Sequence, residues 1–147
     1  MPPKTILIVE DNPDHLELAL LTLREDGIHN DIVVAHDGAQ ALDYLLGQGA
    51  HAGRDCTRQP ALVLLDLKLP KLSGIEVLQR MRAHPLTATV PAVVMTSSSE
   101  EEDMAASYRS GANSFVCKPV DFGEFTRKLK HLQLYWLVVN ELPAASA

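Results

Sequence analysis

The stretch Ala61-Leu62-Val63-Leu64-Leu65-Asp66 decides the fold, because five apolar residues run without alternation into a carboxylate. Short apolar runs of this kind are typical of strands in a parallel sheet that is buried on both faces. The arrangement recurs twice: residues 6–9 precede an acidic pair, and Ser114–Cys117 precede Lys118. The carboxyl ends of parallel strands share one edge of a sheet, where open α/β folds bind ligands. We therefore expect these charged groups to meet at that edge.

The whole chain alternates strands and helices five times. The predicted strands are residues 5–9, 31–35, 61–65, 92–95 and 114–117, and the predicted helices are 13–25, 38–46, 74–83, a fourth that ends at Gly111, and 121–140. Asp11 or Asn12 is the expected N-cap of the first helix, and Gly27 its end. Serines 97–99 are the expected hydroxyl caps of the fourth helix, with acids in its first turn. Repeated strand–helix units predict a doubly wound α/β fold, with a parallel sheet covered by helices on both faces.

Length and composition fit one globular domain. The 147 residues are 46% hydrophobic and 22% charged, which is enough to bury a core without disulfides. The net charge of -6 argues against nucleic-acid binding. The apolar stretches are too short to cross a bilayer, and no signal-peptide pattern precedes the first strand, so we expect a cytoplasmic protein. Cys56 and Cys117 are expected to be reduced thiols.

The chemistry predicted at the sheet edge is metal-assisted phosphoryl transfer. Glu10, Asp11 and Asp66 would repel one another unless a cation lies between them, and Mg²⁺ prefers such oxygen ligands. A carboxylate beside Mg²⁺ can attack phosphorus, and Asp66, alone at the end of its strand, suits that role. Lys118 would neutralise a phosphoryl oxygen, and the hydroxyl of Thr96 would donate to another.

Four motifs together resemble a bacterial two-component response regulator receiver domain: Val9-Glu10-Asp11-Asn12, Asp66-Leu67-Lys68-Leu69-Pro70 with Gly74, Met95-Thr96-Ser97, and Phe115-Val116-Cys117-Lys118-Pro119. The resemblance implies a flavodoxin-like receiver fold of the (βα)5 type with strand order 2-1-3-4-5. It implies that Asp66 accepts a phosphoryl group from a histidine kinase. It also implies that Mg²⁺ is held by Asp11, Asp66, the backbone carbonyl of Lys68 and, through water, Glu10.

The resemblance also implies a switch. Phosphorylation would draw Thr96 toward the phosphate and turn Phe115 inward, which would change the face made by the fourth helix, the fifth strand and the last helix. We expect one receiver domain over residues 1–147, with a core from about 4 to 140 and no output domain. The output would then be protein contact, or the phosphoryl group itself in a phosphorelay or phosphate sink.

Two segments distinguish this chain from a minimal receiver. Residues 47–59 are expected to form a mobile surface loop, because His51, Asp55 and Cys56 match no metal-ligand spacing. In the last helix a buried face is predicted at residues 122, 125, 129, 132, 136 and 139. Other faces near its end are also apolar and predict a homodimer interface, through Leu134, Tyr135, Leu137 and Val138. The tail is similar to that of single-domain regulators paired with bacterial phytochrome kinases.

Two other classes of function fit less well. An Mg²⁺-dependent phosphatase with an aspartyl nucleophile needs a second acid two residues further on, where this chain has Lys68. A flavodoxin-like cofactor carrier needs hydroxyls and amides in its first loop, where this chain has acids. We therefore expect no enzyme activity beyond phosphorylation and dephosphorylation of Asp66 itself. The six histidines show no relay or ligand spacing, and none is assigned a role.

Overall fold

A single parallel sheet of five strands organises the molecule. The computed structural model describes residues 4–25 and 30–143. The strands are β1 (Lys4–Val9), β2 (Asn30–Ala35), β3 (Leu62–Leu65), β4 (Ala92–Thr96) and β5 (Ser114–Cys117). Their order is β2-β1-β3-β4-β5, and every pairing is parallel. The predicted doubly wound α/β fold and its strand order are confirmed.

Five helices connect and cover the strands: α1 (Pro13–Glu25), α2 (Gly38–Leu46), α3 (Gly74–Ala83), α4 (Glu101–Arg109) and α5 (Phe122–Leu134). Asn12 caps α1, because its Oδ1 accepts hydrogen bonds from the backbone N–H groups of Asp14 (2.9 Å) and His15 (3.1 Å). The predicted end of this helix, Gly27, lies outside the described residues. No helix in the described ranges is long and apolar enough to span a bilayer.

Side chains that alternate along the strands divide the core into two clusters. Leu7 and Val9 of β1 pack on the side of the sheet that α2 and α3 cover. Ile6 and Ile8 pack on the opposite side, with buried residues of α1 and α5. All four side chains are buried, because β1 lies inside the sheet and helices cover both of its faces.

The start of α4 differs from the prediction. The N-cap position is Glu100, whose side chain makes no capping hydrogen bond. The Ser98 hydroxyl instead donates to Oδ2 of Asp103, at 2.6 Å, and accepts from the backbone N–H of Glu100, at 3.3 Å. Serine therefore ties the loop before α4 to an acid of its first turn, and does not cap the helix in the expected way.

Residues 47–59 form the expected surface loop, and two of its side chains also bond to α2. The Arg54 guanidinium stacks over the Tyr44 ring, 4.0 Å from its centroid, and Nε donates to the Tyr44 carbonyl at 2.6 Å. Nε2 of Gln59 donates to the Leu45 carbonyl at 2.9 Å. Both side chains thus satisfy carbonyls that the end of α2 leaves without helical partners. Within residues 4–25 and 30–143, the cluster of potential metal ligands is that of Glu10, Asp11 and Asp66, and it does not include residues 51, 55 and 56.

The last helix changes its pitch, and this overturns part of the predicted buried face. After α5 the chain makes one π-helical turn over Tyr135–Val139. The residues buried in the resulting stripe are spaced by four: Phe125, Leu129, Gln133 and Leu137. Leu137, predicted to lie in an interface, is only 5% exposed and packs in the core of its own chain, whereas Phe122 and Val139, predicted to be buried, are exposed. The spacing of four is already present within α5, and the π turn, which has more residues per turn, continues it to position 137.

Candidate functional site

Three carboxylates meet at the carboxyl edge of the sheet. Glu10 and Asp11 follow β1, and Asp66 follows β3. These two strands are paired with Val9 opposite Leu65. The backbone N–H of Asp66 also donates to the Val9 carbonyl at 3.2 Å, so that the two strand ends are tied together. One oxygen of each acid lies within 4.8 Å of the others, as the sequence predicted.

Backbone groups orient two of these acids. Oδ1 of Asp66 accepts a hydrogen bond from the Leu67 N–H at 2.7 Å, and Oε2 of Glu10 accepts one from the Asn12 N–H at 3.2 Å. Asp11 is exposed, while Glu10 is buried and Asp66 half-buried. The cluster therefore runs from the protein interior to solvent, and its outer end is open to an ion or a substrate.

Lys118 brings a positive charge into this cluster from the end of β5. Its side chain is only 6% exposed. Nζ donates to Oδ2 of Asp66 at 3.0 Å and to Oε1 of Glu10. The backbone N–H of Lys118 donates to the Thr96 carbonyl at 2.7 Å, which fixes the point where the side chain leaves the sheet. The predicted meeting of Lys118 with the acids thus joins the ends of β1, β3 and β5, with β4 lying between the last two.

Burial dominates the electrostatics of the innermost acid. Desolvation raises the pKa of Glu10, an effect that the Lys118 ammonium opposes and the negative charge of Asp66 reinforces. One ammonium therefore does not fully compensate the carboxylates. An all-oxygen set of three acids with residual negative charge fits a hard divalent cation such as Mg²⁺ or Mn²⁺. The carbonyl of Lys68, the remaining predicted ligand, stays a prediction.

Thr96 and Phe115, the predicted switch residues, lie at the end of β4 and within β5. Thr96 is buried at the end of β4, and its Oγ1 accepts a hydrogen bond from the Ser98 N–H at 3.4 Å. Among the hydrogen bonds of the described residues none joins Thr96 to Asp66. Phe115 is half-buried on β5 and packs against the core cluster beneath α2 and α3. Both side chains thus lie on the side of the sheet opposite to α1 and α5.

One residue of the site was missed by the sequence analysis. Nδ1 of His15, in the first turn of α1, lies 3.0 Å from Nζ of Lys118 and 3.9 Å from Oε1 of Glu10. The sequence feature that could have revealed His15 is its position just after the first strand, and not its spacing from other histidines. The first turn of a helix that follows the first strand necessarily lies at the carboxyl edge of the sheet, close to Asp66.

Comparison with known proteins agrees with this geometry. The sequence profile of the response regulator receiver domain matches residues 6–130. The response regulator Rcp1 of Synechocystis is 34% identical over 144 residues, which cover 98% of this chain and 96% of Rcp1. The chain therefore belongs to the response regulator receiver domain family. It is a phosphoacceptor of two-component signalling, similar to phytochrome response regulators.

Solved structures extend the likeness to the fold. The phosphorylated cyanobacterial phytochrome response regulator RcpA superposes with a TM-score of 0.90 at 32% identity, covering 97% of this chain and 99% of that one. The Mn²⁺-bound form of Rcp1 gives a TM-score of 0.89 at 33% identity, with coverages of 97% and 100%. The bacteriophytochrome response regulator AtBRR superposes with a TM-score of 0.75 at 45% identity, covering 96% of this chain and 100% of that one.

Proposed function

We propose that Asp66 is the phosphoacceptor of this receiver and that Lys118 and Thr96 assist the transfer. The observation that carries the proposal is the contact of 3.0 Å between Nζ of Lys118 and Oδ2 of Asp66, inside a cluster of three carboxylates. Asp66 is half-buried at a strand end, so that one side of its carboxylate faces an incoming donor. The chemistry is confined to Asp66, and no separate substrate is turned over.

The transfer forms one bond and breaks another. An oxygen of Asp66 bonds to phosphorus as the P–N bond of a phosphohistidine breaks, and the electron pair of that bond leaves with the imidazole nitrogen of the donor, which takes up a proton. The Lys118 ammonium is placed to follow the negative charge from the carboxylate to a phosphoryl oxygen. Because the ammonium is already desolvated, it needs little rearrangement to do so.

The cofactor we propose is Mg²⁺, with Asp11 and Asp66 as direct ligands, the Lys68 carbonyl as a third, and Glu10 acting through water. When bound, Mg²⁺ supplies positive charge beside the phosphoryl oxygens. The arrangement of the three acids, with one oxygen of each within 4.8 Å of the others, supports a cation at this position. The Mn²⁺-bound structure of Rcp1 supports a divalent ion of this size.

The proposed switch couples Asp66 to the face formed by α4, β5 and α5. In the unphosphorylated protein the Thr96 hydroxyl is engaged by the Ser98 N–H, at 3.4 Å. Movement of Thr96 toward a phosphoryl oxygen would give up that hydrogen bond and leave space for Phe115. Phe115 is half-buried, so it has an outward position from which to turn inward.

The proposed partner is a histidine kinase, of the phytochrome type. The type of kinase is proposed because RcpA and AtBRR are both named as phytochrome response regulators. They are 32% and 45% identical to this chain over nearly its whole length. We place the protein in the cytoplasm, where such a kinase presents its phosphohistidine. The chain would act there as a single receiver domain, without contact to nucleic acid or membrane.

A homodimer is proposed through the outer side of the last helix. Leu134, Tyr135 and Val138 are exposed on neighbouring positions of α5 and the π turn, and together they form an apolar strip. Exposed strips of this kind on a soluble fold are typical of contact surfaces. The buried Leu137 no longer belongs to the proposed interface.

Phosphorylation at Asp66 is tested by intact mass. With Mg²⁺ and a small-molecule phosphodonor such as acetyl phosphate, the wild-type protein should gain the mass of one phosphoryl group. Asp66→Asn, which keeps the size of the side chain but loses its nucleophilic charge, should gain none. Removal of Mg²⁺ by a chelator should abolish the gain in wild type. Labelling that persists in Asp66→Asn would disprove the assignment.

A further inference from the structure

The Lys118 ammonium has three N–H donors and three acceptors around it. They are Oε1 of Glu10, Oδ2 of Asp66 at 3.0 Å and Nδ1 of His15 at 3.0 Å. With its side chain 6% exposed, Lys118 is almost removed from solvent. The third acceptor therefore replaces hydration that the buried ammonium would otherwise lack.

The contact defines the chemical state of His15. An ammonium has no lone pair, so at 3.0 Å from Nζ the Nδ1 atom must be the acceptor, and the ring must be neutral with its proton on Nε2. Burial lowers the pKa of His15 and the positive charge of Lys118 lowers it further. The nearby carboxylates of Asp66, Asp14 and Asp11 act in the opposite direction with smaller effect, so the pKa is lowered overall and the neutral ring is favoured.

Two neighbouring groups hold the imidazole in place. The backbone N–H of His15 donates to Oδ1 of Asn12 at 3.1 Å, which fixes the first turn of α1. The ring also lies against Phe125 of α5, with 6.4 Å between centroids. His15 thus joins α1 and α5 at the end of the site nearest Lys118, and its side chain remains 38% exposed.

We propose that His15 is a positioning residue for phosphoryl transfer, holding the Lys118 ammonium in the direction of Asp66. The proposal rests on the proposed roles of Asp66 and Lys118. Of the three acceptors, Glu10 and Asp66 also have to serve the cation and the phosphoryl group. His15 is the acceptor with no other task, so it keeps one N–H of the ammonium fixed while the other two change partners.

The test compares His15→Leu, which has no acceptor, with His15→Asn, whose Oδ1 can replace Nδ1. The rate of phosphorylation by phosphoramidate, a donor with a P–N bond, is measured at saturating Mg²⁺ and about pH 8, where the wild-type ring is neutral. We expect His15→Leu to lower this rate about tenfold, as losses of groups that orient a site residue do, and His15→Asn to recover most of it. The dissociation constant for Mg²⁺ should stay close to that of wild type, because His15 is not among the proposed ligands. His36→Leu, at an exposed histidine of the same edge, is the control and should react like wild type.

A spectroscopic measurement separates positioning from a merely structural role. In protein labelled with ¹⁵N-lysine, the Nζ signal of Lys118 is the one missing from Lys118→Arg. We expect that signal to shift or broaden in His15→Leu and to return in His15→Asn. An unchanged rate in His15→Leu, or a slower rate with an unchanged ammonium signal, would overturn the proposal. Failure of wild type to be labelled at all would instead remove the function proposed for Asp66, and the positioning role with it.

Discussion

Glu10 is the residue through which pH acts on the site. Its burial raises its pKa above the ordinary 4.5, so the native state keeps this proton to a higher pH than the unfolded chain does. The contribution of Glu10 to the free energy of unfolding therefore falls as pH rises from 4.5 through the folded pKa. Cation binding has the opposite dependence, because it needs the ionised carboxylate.

A proton should accordingly leave Glu10 when Mg²⁺ binds at mildly acid pH. Titration calorimetry in two buffers of different ionisation heat should show proton release on Mg²⁺ binding that becomes smaller as the pH of the experiment is raised, because ionised Glu10 has no proton to release. Glu10→Gln should release fewer protons at the lower pH. Equal release from wild type and Glu10→Gln would show that another group carries the linkage.

Lys118 should affect transfer and cation binding in opposite directions. Lys118→Met removes the charge that follows the phosphoryl group, and we expect phosphorylation to slow about a hundredfold, as losses of a transition-state donor do. Mg²⁺ should bind at least as tightly as in wild type, because the ammonium no longer competes for Glu10 and Asp66. Rates at saturating Mg²⁺ and a separate Mg²⁺ titration give the two quantities. A parallel loss of both would point to a collapsed site.

At the scale of elements, the start of α3 is packed directly against the strand end that carries Asp66. A Cβ on Gly74 would lie 2.3 Å from the Asp66 carbonyl oxygen and 2.8 Å from Cα of Leu67, both of them backbone atoms. We expect Gly74→Ala to lose about 1–3 kcal/mol in urea unfolding and to slow phosphorylation, since the helix and the Asp66 backbone have to separate.

Gly123→Ala is the matched control for that substitution. A Cβ on Gly123, in the first turn of α5, would meet only the Oδ1 atom of Asp121, at 3.1 Å. Alanine is also the better helix former by about 1 kcal/mol. Gly123→Ala should therefore be as stable as wild type or more so. The same urea midpoint for Gly74→Ala as for wild type would contradict the close packing.

The sequence predicts where the strands and helices of this fold lie better than it predicts which side of the last helix is buried. Strands and their ends were predictable because buried parallel strands are continuous apolar runs, and this also located Asp66 and Lys118. The burial of Leu137 was not predictable. It depends on a π turn, which arises from packing against the rest of the protein and is not visible in the spacing of apolar residues. The attachment of residues 47–59 to α2 depends on the Arg54 side chain, which bonds to the Tyr44 carbonyl, and an apolar pattern gives no sign of such a contact. His15 was overlooked because it was compared with the other histidines and not with the charged groups that share its edge of the sheet.

At the scale of the whole molecule, the apolar strip on the last helix should determine the state of association. Leu134, Tyr135 and Val138 are 47%, 48% and 56% exposed. We expect light scattering over a dilution series to show a dimer that Val138→Glu shifts toward monomer, because a charge would be buried in the interface. Leu21→Glu, at an α1 leucine that is 62% exposed, should dimerise like wild type.

The same series with Mg²⁺ and beryllofluoride separates two ways of signalling. A dimer in both conditions would mean that phosphorylation acts within a permanent interface. A dimer formed only with beryllofluoride would make association itself the signal. Wild type that stays monomeric in every condition would disprove the proposed interface.

The two-sided core has a consequence for how such proteins can be redesigned. Lys118 and His15 approach Asp66 from the side of α1 and α5, whereas Thr96 and Phe115 belong to the opposite side of the sheet. Thr96 nevertheless takes part in the proposed transfer and α5 in the proposed output face, so neither side of the sheet serves one task alone. A designer who grafts a new output onto this chain therefore has to keep both sides of the sheet together.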